Sequence, residues 1–292
     1  MKLRLSDFVP PIAFKILRSK SKEAVYTKVD NNGNLVPEKL SNILNKNESL
    51  KNSHSGKRCF IIGTGSSIKS QNLKLLKNDI SMGLNEFFLH PDYNEIKPKY
   101  VVFSGFGIHN VPAEKQILWY QDYEKRIAGI STPIINICDY NYISKNKLLT
   151  KSGIKFMRYE NNFDVILEEG IDATKNMYAS QGVGAMAIQN AIYIGFKEIV
   201  LVGFDHDWLL RMFDSKPTHF YDHNTSIIYK GHREVEGITL QYQLQSLSKL
   251  FLNYIQLKKY ADKKGVTILN ATEGGMLDVF PLVDFESLFK KD

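Results

Sequence analysis

The sequence predicts an α/β protein built on a doubly wound, mostly parallel sheet, with a lid-like insertion and a basic N-terminal segment. Two observations carry this. From residue 57 onward, short apolar runs closed by Gly, Asn, Ser or Asp recur along the chain, as buried parallel strands do. Between some of them lie longer stretches whose apolar residues fall at helical spacing.

The elements follow in order. The opening "MKLRLSDFVPPIAFKILRSKSK", residues 1–22, interleaves Phe8, Val9, Ile12, Ala13, Ile16 and Leu17 with Lys2, Arg4, Lys15, Arg18, Lys20 and Lys22. That pattern fits a segment lying on an anionic bilayer surface, and equally a helix docked on the protein's own core. Pro10, Pro11 and Lys15 interrupt its apolar part, so it is no secretory signal. Residues 29–57 are rich in Asn, Ser and Lys and read as a linker with a helical turn or two, giving a first segment 1–56 and an organised domain 57–292. The expected strands are "RCFIIG", "ISMGL", "YVVFSG", "PIINIC", "IVLVGFD" and "VTILNA". Residues 182–197 and 240–265 are expected as helices, the second with Leu240, Leu244, Leu247, Phe251, Tyr254 and Leu257 on one side. A lid is expected over about 206–237, and a tail whose Thr272 to Gly275 form a loop near the site. This is the grammar of a Rossmann-like doubly wound sheet.

Composition narrows the function. No stretch reaches the roughly 20 continuous apolar residues of a transmembrane helix. Cys59 and Cys138 are far apart and form no C-x-x-C pair, so neither a disulfide framework nor a cysteine zinc site is indicated, and a reducing cytoplasm fits, with the inner face of the membrane as the expected station. The net charge of +7 is concentrated in the first sixty residues, and no basic stripe with aromatics marks a nucleic-acid partner. The sequence is compatible with a homo-oligomer.

In open α/β sheets ligands bind at the carboxyl ends of the strands. The residues there are Gly63-Thr64-Gly65-Ser66-Ser67, then Asn85, then Ser104-Gly105, then Gly203 to Asp207, and Asn270. The first group offers backbone N–H groups and hydroxyls at a helix start, where an anion is favoured. It is neither a Walker A loop nor a G-x-G-x-x-G, because Ile68 stands where the third glycine belongs. Ser180, Gln181 and Gly182 open a helix whose Gly184, Ala185 and Ala187 permit close approach to the sheet. Two such mouths suit a nucleotide.

This layout of strand, Gly-x-Gly-x-Ser loop, Asn at the next strand end, small-residue helix and strand ending Gly-hydrophobe-Asp resembles the bacterial sialyltransferases of glycosyltransferase family 42. It is also similar to polysaccharide-locus proteins related to the 6-hydroxymethylpterin diphosphokinase-like fold. The likeness spans about Lys57 to Ala271. It implies that Gly63, Thr64, Gly65, Ser67 and Asn85 approach the nucleotide of a CMP-sugar, and that Ser180, Gln181 and Gly182 also bind the donor, with Ser66, Ser104 and Gly105 beside them at the strand ends. It further implies a lid in which "YKGH" carries His232 as the base and Tyr221 binds the phosphate. No cofactor is implied, since the CMP-sugar is a substrate, and because CMP leaves readily a metal is not obligatory. The implied acceptor is a cell-surface glycan or its lipid-linked precursor, as in lipopolysaccharide or capsule.

Two positions depart from the family pattern. Asp207 replaces a phosphate-binding tyrosine, and Tyr178 stands where an arginine is expected. Asp205 and Asp207 could therefore touch sugar hydroxyls, supply the nucleophile of a double displacement, or hold a divalent metal. His206, His219 and His223 with Asp207 and Asp222 invite a zinc reading, but the flanking Pro217, Asn224 and aromatics are those of a lid, and no residue is assigned to a metal. The competing functions are a pyrophosphokinase using ATP and magnesium and a non-catalytic nucleotide-sugar binding protein. A Rossmann oxidoreductase is disfavoured because Asn85, not an acidic residue, closes the second strand.

Overall fold

The computed structural model describes residues 37–106, 111–211, 218–222, 226–227 and 239–290. Eight strands form one sheet: β1 Arg58–Ile62, β2 Ser81–Leu84, β3 Tyr100–Phe103, β4 Thr132–Asn136, β5 Lys155–Asn161, β6 Asn176–Tyr178, β7 Glu198–Val202 and β8 Thr267–Asn270. Their order across the sheet is β6-β5-β4-β3-β2-β1-β7-β8, and every neighbouring pair is parallel. The longer helices are α1 Pro37–Asn45, α2 Ala113–Ile127, α3 Val183–Ile194 and α4 Leu240–Lys264.

Side-chain alternation divides the core into two layers. Cys59 and Ile61 of β1, with Ile199 and Leu201 of β7, face α3 and α4. Phe60, Ile62, Val200 and Val202 face the opposite way, into a layer that also holds Trp119, Tyr120 and Tyr123 of α2. Because both faces are covered, these strands are continuously apolar and therefore visible in the sequence.

The six expected strands all form. Sequence reasoning missed β5, β6 and α2. In β5, Lys155, Arg158 and Glu160 are only partly buried near the sheet margin, and β6 has only three residues. Neither offers an apolar run. The structure also moves the start of the folded unit forward. Ile43, Leu44 and Leu50 are buried, and fully buried Asn47 donates from Nδ2 to the carbonyls of Phe156 at 2.7 Å and Ala173 at 2.9 Å. The later part of the expected linker thus packs on the sheet.

The buried face of α4 is also displaced from the expected one. Leu250, Tyr254, Leu257, Tyr260 and Ala261 are buried, whereas Leu240 and Leu244 are 46% and 50% exposed. Thr239 caps this helix by accepting from the N–H of Tyr242, and Gly265 ends it in a left-handed conformation.

Candidate active-site cleft

The chain steps outward from β1 to β6, then α3 returns it to β7 on the other side of β1. Between the carboxyl ends of β1 and β7 the connections leave in opposite directions. This switch point is where an open α/β sheet leaves a crevice. A cleft of about 620 Å3 lies there.

Its floor is held by close backbone contact. Gly63 N–H donates to Val202 O at 2.7 Å and Gly65 N–H to Gly203 O at 3.1 Å. A Cβ on Gly65 would stand 2.3 Å from Asp205 Oδ1, and one on Gly63 would stand 2.4 Å from Gly203 O. Glycine is needed at both positions because the two strand ends nearly touch. The same contact removes these two N–H groups from any anion. The β1 loop is therefore a structural joint, with Thr64 lining the cleft.

Asp205 is buried and completes the joint. Its Oδ2 accepts from Ser67 N–H at 3.0 Å and from Ser66 Oγ at 3.4 Å, and its Oδ1 accepts from Ser67 Oγ at 2.5 Å. It caps the short helix Ser66–Lys69 from across the sheet, which explains why neither Ser66 nor Ser67 lines the cleft. The tail loop closes against the same point: Thr272 Oγ1 accepts from Phe204 N–H at 2.9 Å, and Met276 N–H donates to Asp205 O at 2.8 Å.

The opposite wall is the start of α3. Gly182 occupies its N-cap with no side-chain acceptor for the first-turn N–H groups, and Gly182, Val183 and Gly184 line the cleft. Ser180 and Gln181 line it too, but their polar atoms also hold the wall together. Ser180 Oγ accepts from Gln189 Nε2 at 2.8 Å, and Gln181 Nε2 donates to Ser246 Oγ of α4 at 2.8 Å.

Asn85 and Ser104 line the cleft from the ends of β2 and β3. Asn85 adopts a left-handed backbone, φ +46°, which Asn tolerates better than most residues, and its buried Oδ1 has no hydrogen-bond donor among the described residues. Gly105 turns away: a Cβ there would meet Cys138 Sγ at 2.8 Å, and its φ of +89° suits glycine. Tyr221 is buried, stacked on His219 with ring centroids 5.0 Å apart, and hydrogen-bonds Glu86. It does not line the cleft. His232 lies outside the described residues.

Among the described residues two imidazoles line the cleft. His219 pairs its Nδ1 with Thr218 Oγ1 at 3.1 Å and forms an isolated antiparallel bridge with Gly65. His206 packs among Phe204, Trp208, Phe251 and Tyr254, with Nε2 2.9 Å from the Tyr254 hydroxyl. Burial drives its pKa down to about 4, against the opposing pull of Asp207. Asp207 is paired with Arg211, whose Nε donates to Oδ2 at 2.6 Å.

Among the described residues no three His, Cys, Asp or Glu side chains are grouped to hold a metal ion; His206, His219, Asp207 and Asp222 form no such group, and His223 lies outside the described residues. Trp208, Gln243 and Tyr254 also line the cleft, and sequence reasoning gave them no site role. The packing of α4 against α3 brings Gln243 and Tyr254 there, and Trp208 follows the end of β7 directly.

No protein-family model and no curated protein matches the chain. Among solved structures, it is similar to the MAf glycosyltransferase from Magnetospirillum magneticum AMB-1, with 12% identity and a TM-score of 0.47 over 96% of this chain. The alignment spans 43% of that protein, so this chain matches less than half of its length. It is also similar to the sialyltransferase CstII from Campylobacter jejuni in complex with cytidine-5'-monophosphate, with 14% identity and a TM-score of 0.43 over 78% of this chain and 85% of that one. CstII in complex with CMP-3FNeuAc aligns with 16% identity and a TM-score of 0.40, over 77% and 85% of the two chains.

Proposed function

We propose that the protein is a glycosyltransferase that moves a sialic-acid-like sugar, nonulosonic or Kdo-type, from a CMP donor to a cell-surface glycan. The observation that carries this reading is the polarity of the switch-point cleft. Its described lining offers a helix N-terminus, Asn85, Ser104 and imidazole, and no Lys or Arg, while its two carboxylates are already engaged, Asp205 by Ser66 and Ser67 and Asp207 by Arg211. Neutral donors suit the single charge of a CMP-sugar phosphodiester, whereas a di- or triphosphate calls for cations or a metal.

In this reading the acceptor hydroxyl loses its proton to a base, for which His232 is our candidate. The hydroxyl oxygen then bonds to the anomeric carbon as the bond from that carbon to the phosphate oxygen breaks. CMP departs with the electron pair, and the first-turn N–H groups of α3 stabilise the charge arriving on it. Asn85 Oδ1, buried without a donor, is suited to accept from the nucleoside. Asp205 acts as a positioning residue, because both of its oxygens already accept from Ser66 and Ser67.

Among the described residues no helix is long and apolar enough to cross a membrane. Residues 1–22, which lie outside them, are proposed to hold the enzyme at an anionic membrane surface. Their removal is expected to abolish co-sedimentation with vesicles containing anionic lipid, and unchanged binding would overturn that assignment.

The test is a thermal-shift series with CMP, CDP, UDP, GDP, ATP and NAD, each with magnesium and with EDTA. A ligand that binds only the native state raises the melting temperature with its occupancy. Stabilisation by CMP that is indifferent to EDTA is the expected result. Stabilisation by ATP with magnesium, and none by CMP, would replace the transferase with a pyrophosphokinase.

A further inference from the structure

The hydroxyl of Tyr254 is fully enclosed, and burial raises its pKa, so it keeps its proton. A buried O–H requires an acceptor. Among the described residues the one within reach is His206 Nε2, at 2.9 Å. Tyr254 must therefore donate, and Nε2 must present its lone pair. A neutral imidazole that accepts at Nε2 carries its proton on Nδ1. Among the described residues His206 Nδ1 has no hydrogen-bond partner, and the residue is only partly buried and lines the cleft.

The Tyr254 hydroxyl also connects this imidazole to the start of α3. A Cβ on Gly184 would stand 2.8 Å from it, so His206 is one hydroxyl removed from the first turn of the helix. The nearby carboxylate, Asp207, is engaged by Arg211. Phe204, Trp208 and Phe251 supply the remaining packing. The positive end of a helix and a fixed imidazole N–H thus converge on one side of the cleft, an arrangement for an oxyanion.

We propose that His206 binds the phosphate of the donor through Nδ1–H, with Tyr254 acting from behind as the residue that fixes the tautomer. The identity of the ligand rests on the nucleotide-sugar reading; the tautomer does not. His206 is thereby a donor to the leaving group and is unsuited to act as the base that deprotonates the acceptor. Its low basicity in the empty cleft keeps it in this neutral form through the physiological range.

Two measurements test this. In the protein labelled with 15N-histidine, long-range 1H–15N spectra at neutral pH should show His206 as the Nδ1–H tautomer, and Tyr254→Phe should turn that signal into a mixture. An Nε2–H pattern in the wild type would overturn the proposal. In CMP and cytidine titrations, His206→Gly is expected to weaken CMP about tenfold or more and to leave cytidine within about threefold, the range of one hydrogen bond to a charged group. His206→Asn, whose amide N–H replaces Nδ1–H, should recover most of the loss. Both replacements suit the left-handed backbone at this position, φ +50°, and melting curves will confirm that they fold. Equal weakening of CMP and cytidine, or none, would refute the phosphate contact. If the wild type bound no CMP, the nucleotide reading and the ligand assigned to His206 would both fall, while the spectra would still decide whether the Nδ1–H donor exists.

Discussion

Replacing Asp205 separates a structural carboxylate from a catalytic one. It accepts two short hydrogen bonds from Ser67, at 3.0 and 2.5 Å, and a longer one from Ser66. A hydrogen bond to a charged group contributes about 1.5–3 kcal/mol, and these share one acceptor and one cap, so the sum is less than additive. Asp205→Ala should destabilise the protein by about 2–4 kcal/mol. Asp205→Asn keeps one acceptor for Ser67 N–H and offers the Ser67 hydroxyl a donor instead, and should cost about 1 kcal/mol. Urea unfolding of the wild type, Asp205→Ala, Ser67→Ala and the double variant forms a cycle whose coupling is expected to exceed about 1 kcal/mol. The CMP melting shift should survive in Asp205→Asn. Full stability of Asp205→Ala, a coupling near zero, and complete loss of transfer would show that the carboxylate reacts with substrate, and would refute its assignment as a joint.

The other predictions address the wall, a buried acid and the boundary of the fold. Gly184→Ala would place a Cβ 2.5 Å from Phe204 Cε1 and 2.8 Å from the Tyr254 hydroxyl. It should cost about 1–3 kcal/mol of stability and weaken CMP binding; an unchanged protein would mean that α3 can move away freely. Glu86 is buried, and desolvation raises its pKa against hydrogen bonds from Ser226, Trp119 and Tyr221. A raised carboxyl is protonated more readily in the folded chain, so stability should fall as pH rises from its ordinary value of 4.5 through the raised one. Urea titrations across that window should therefore show Glu86→Gln gaining on the wild type with pH, and parallel curves would refute the reasoning. Asn47→Ala leaves the carbonyls of Phe156 and Ala173 unpaired and should cost about 2–4 kcal/mol in urea unfolding; a loss under about 1 kcal/mol would place residues 46–50 outside the cooperative unit.

How far the sequence reveals this molecule depends on what each residue reports. Six strands were legible, the central ones because burial on both faces leaves little room for polar residues, as in "FII" of β1 and "IVLV" of β7, and the edge strand β8 because "VTILNA" is still a short apolar run closed by Asn. At the margin, β5 alternates Lys155, Phe156, Met157 and Arg158, and its pairing with β4 is decided by tertiary contacts that a linear reading lacks. In α4 the apolar residues cover more of the surface than one face, so spacing alone admitted Leu240 and Leu244 to a face that the fold leaves exposed. At the site, Asn85, Ser104 and the α3 mouth were found because they close strands or open a helix at the carboxyl edge of the sheet. Tyr254 went unrecognised as a site residue. Its hydrogen-bond partner His206 is 48 positions away, and nothing in its neighbours along the sequence marks its hydroxyl as part of a site.

The first loop shows why a motif can locate a site and still misassign its chemistry. Gly63 and Gly65 resemble an anion cradle because both features require glycine, yet here the missing side chains let β1 and β7 meet and let Asp205 reach Ser67. With those N–H groups bonded to β7, the ones that the proposed donor phosphate would meet are those of the helix that returns the chain to β7, whose start faces the crevice where the order of the strands reverses. The β1 loop and α3 are therefore one device. If the joint loosens, the crevice loses its floor although α3 keeps its N–H groups. Stability and nucleotide affinity should then fall together across substitutions at Gly63 and Gly65 and in Asp205→Ala, whereas Asn85→Gly, which suits the left-handed backbone there, and Ser104→Ala should change affinity with little change in the unfolding midpoint.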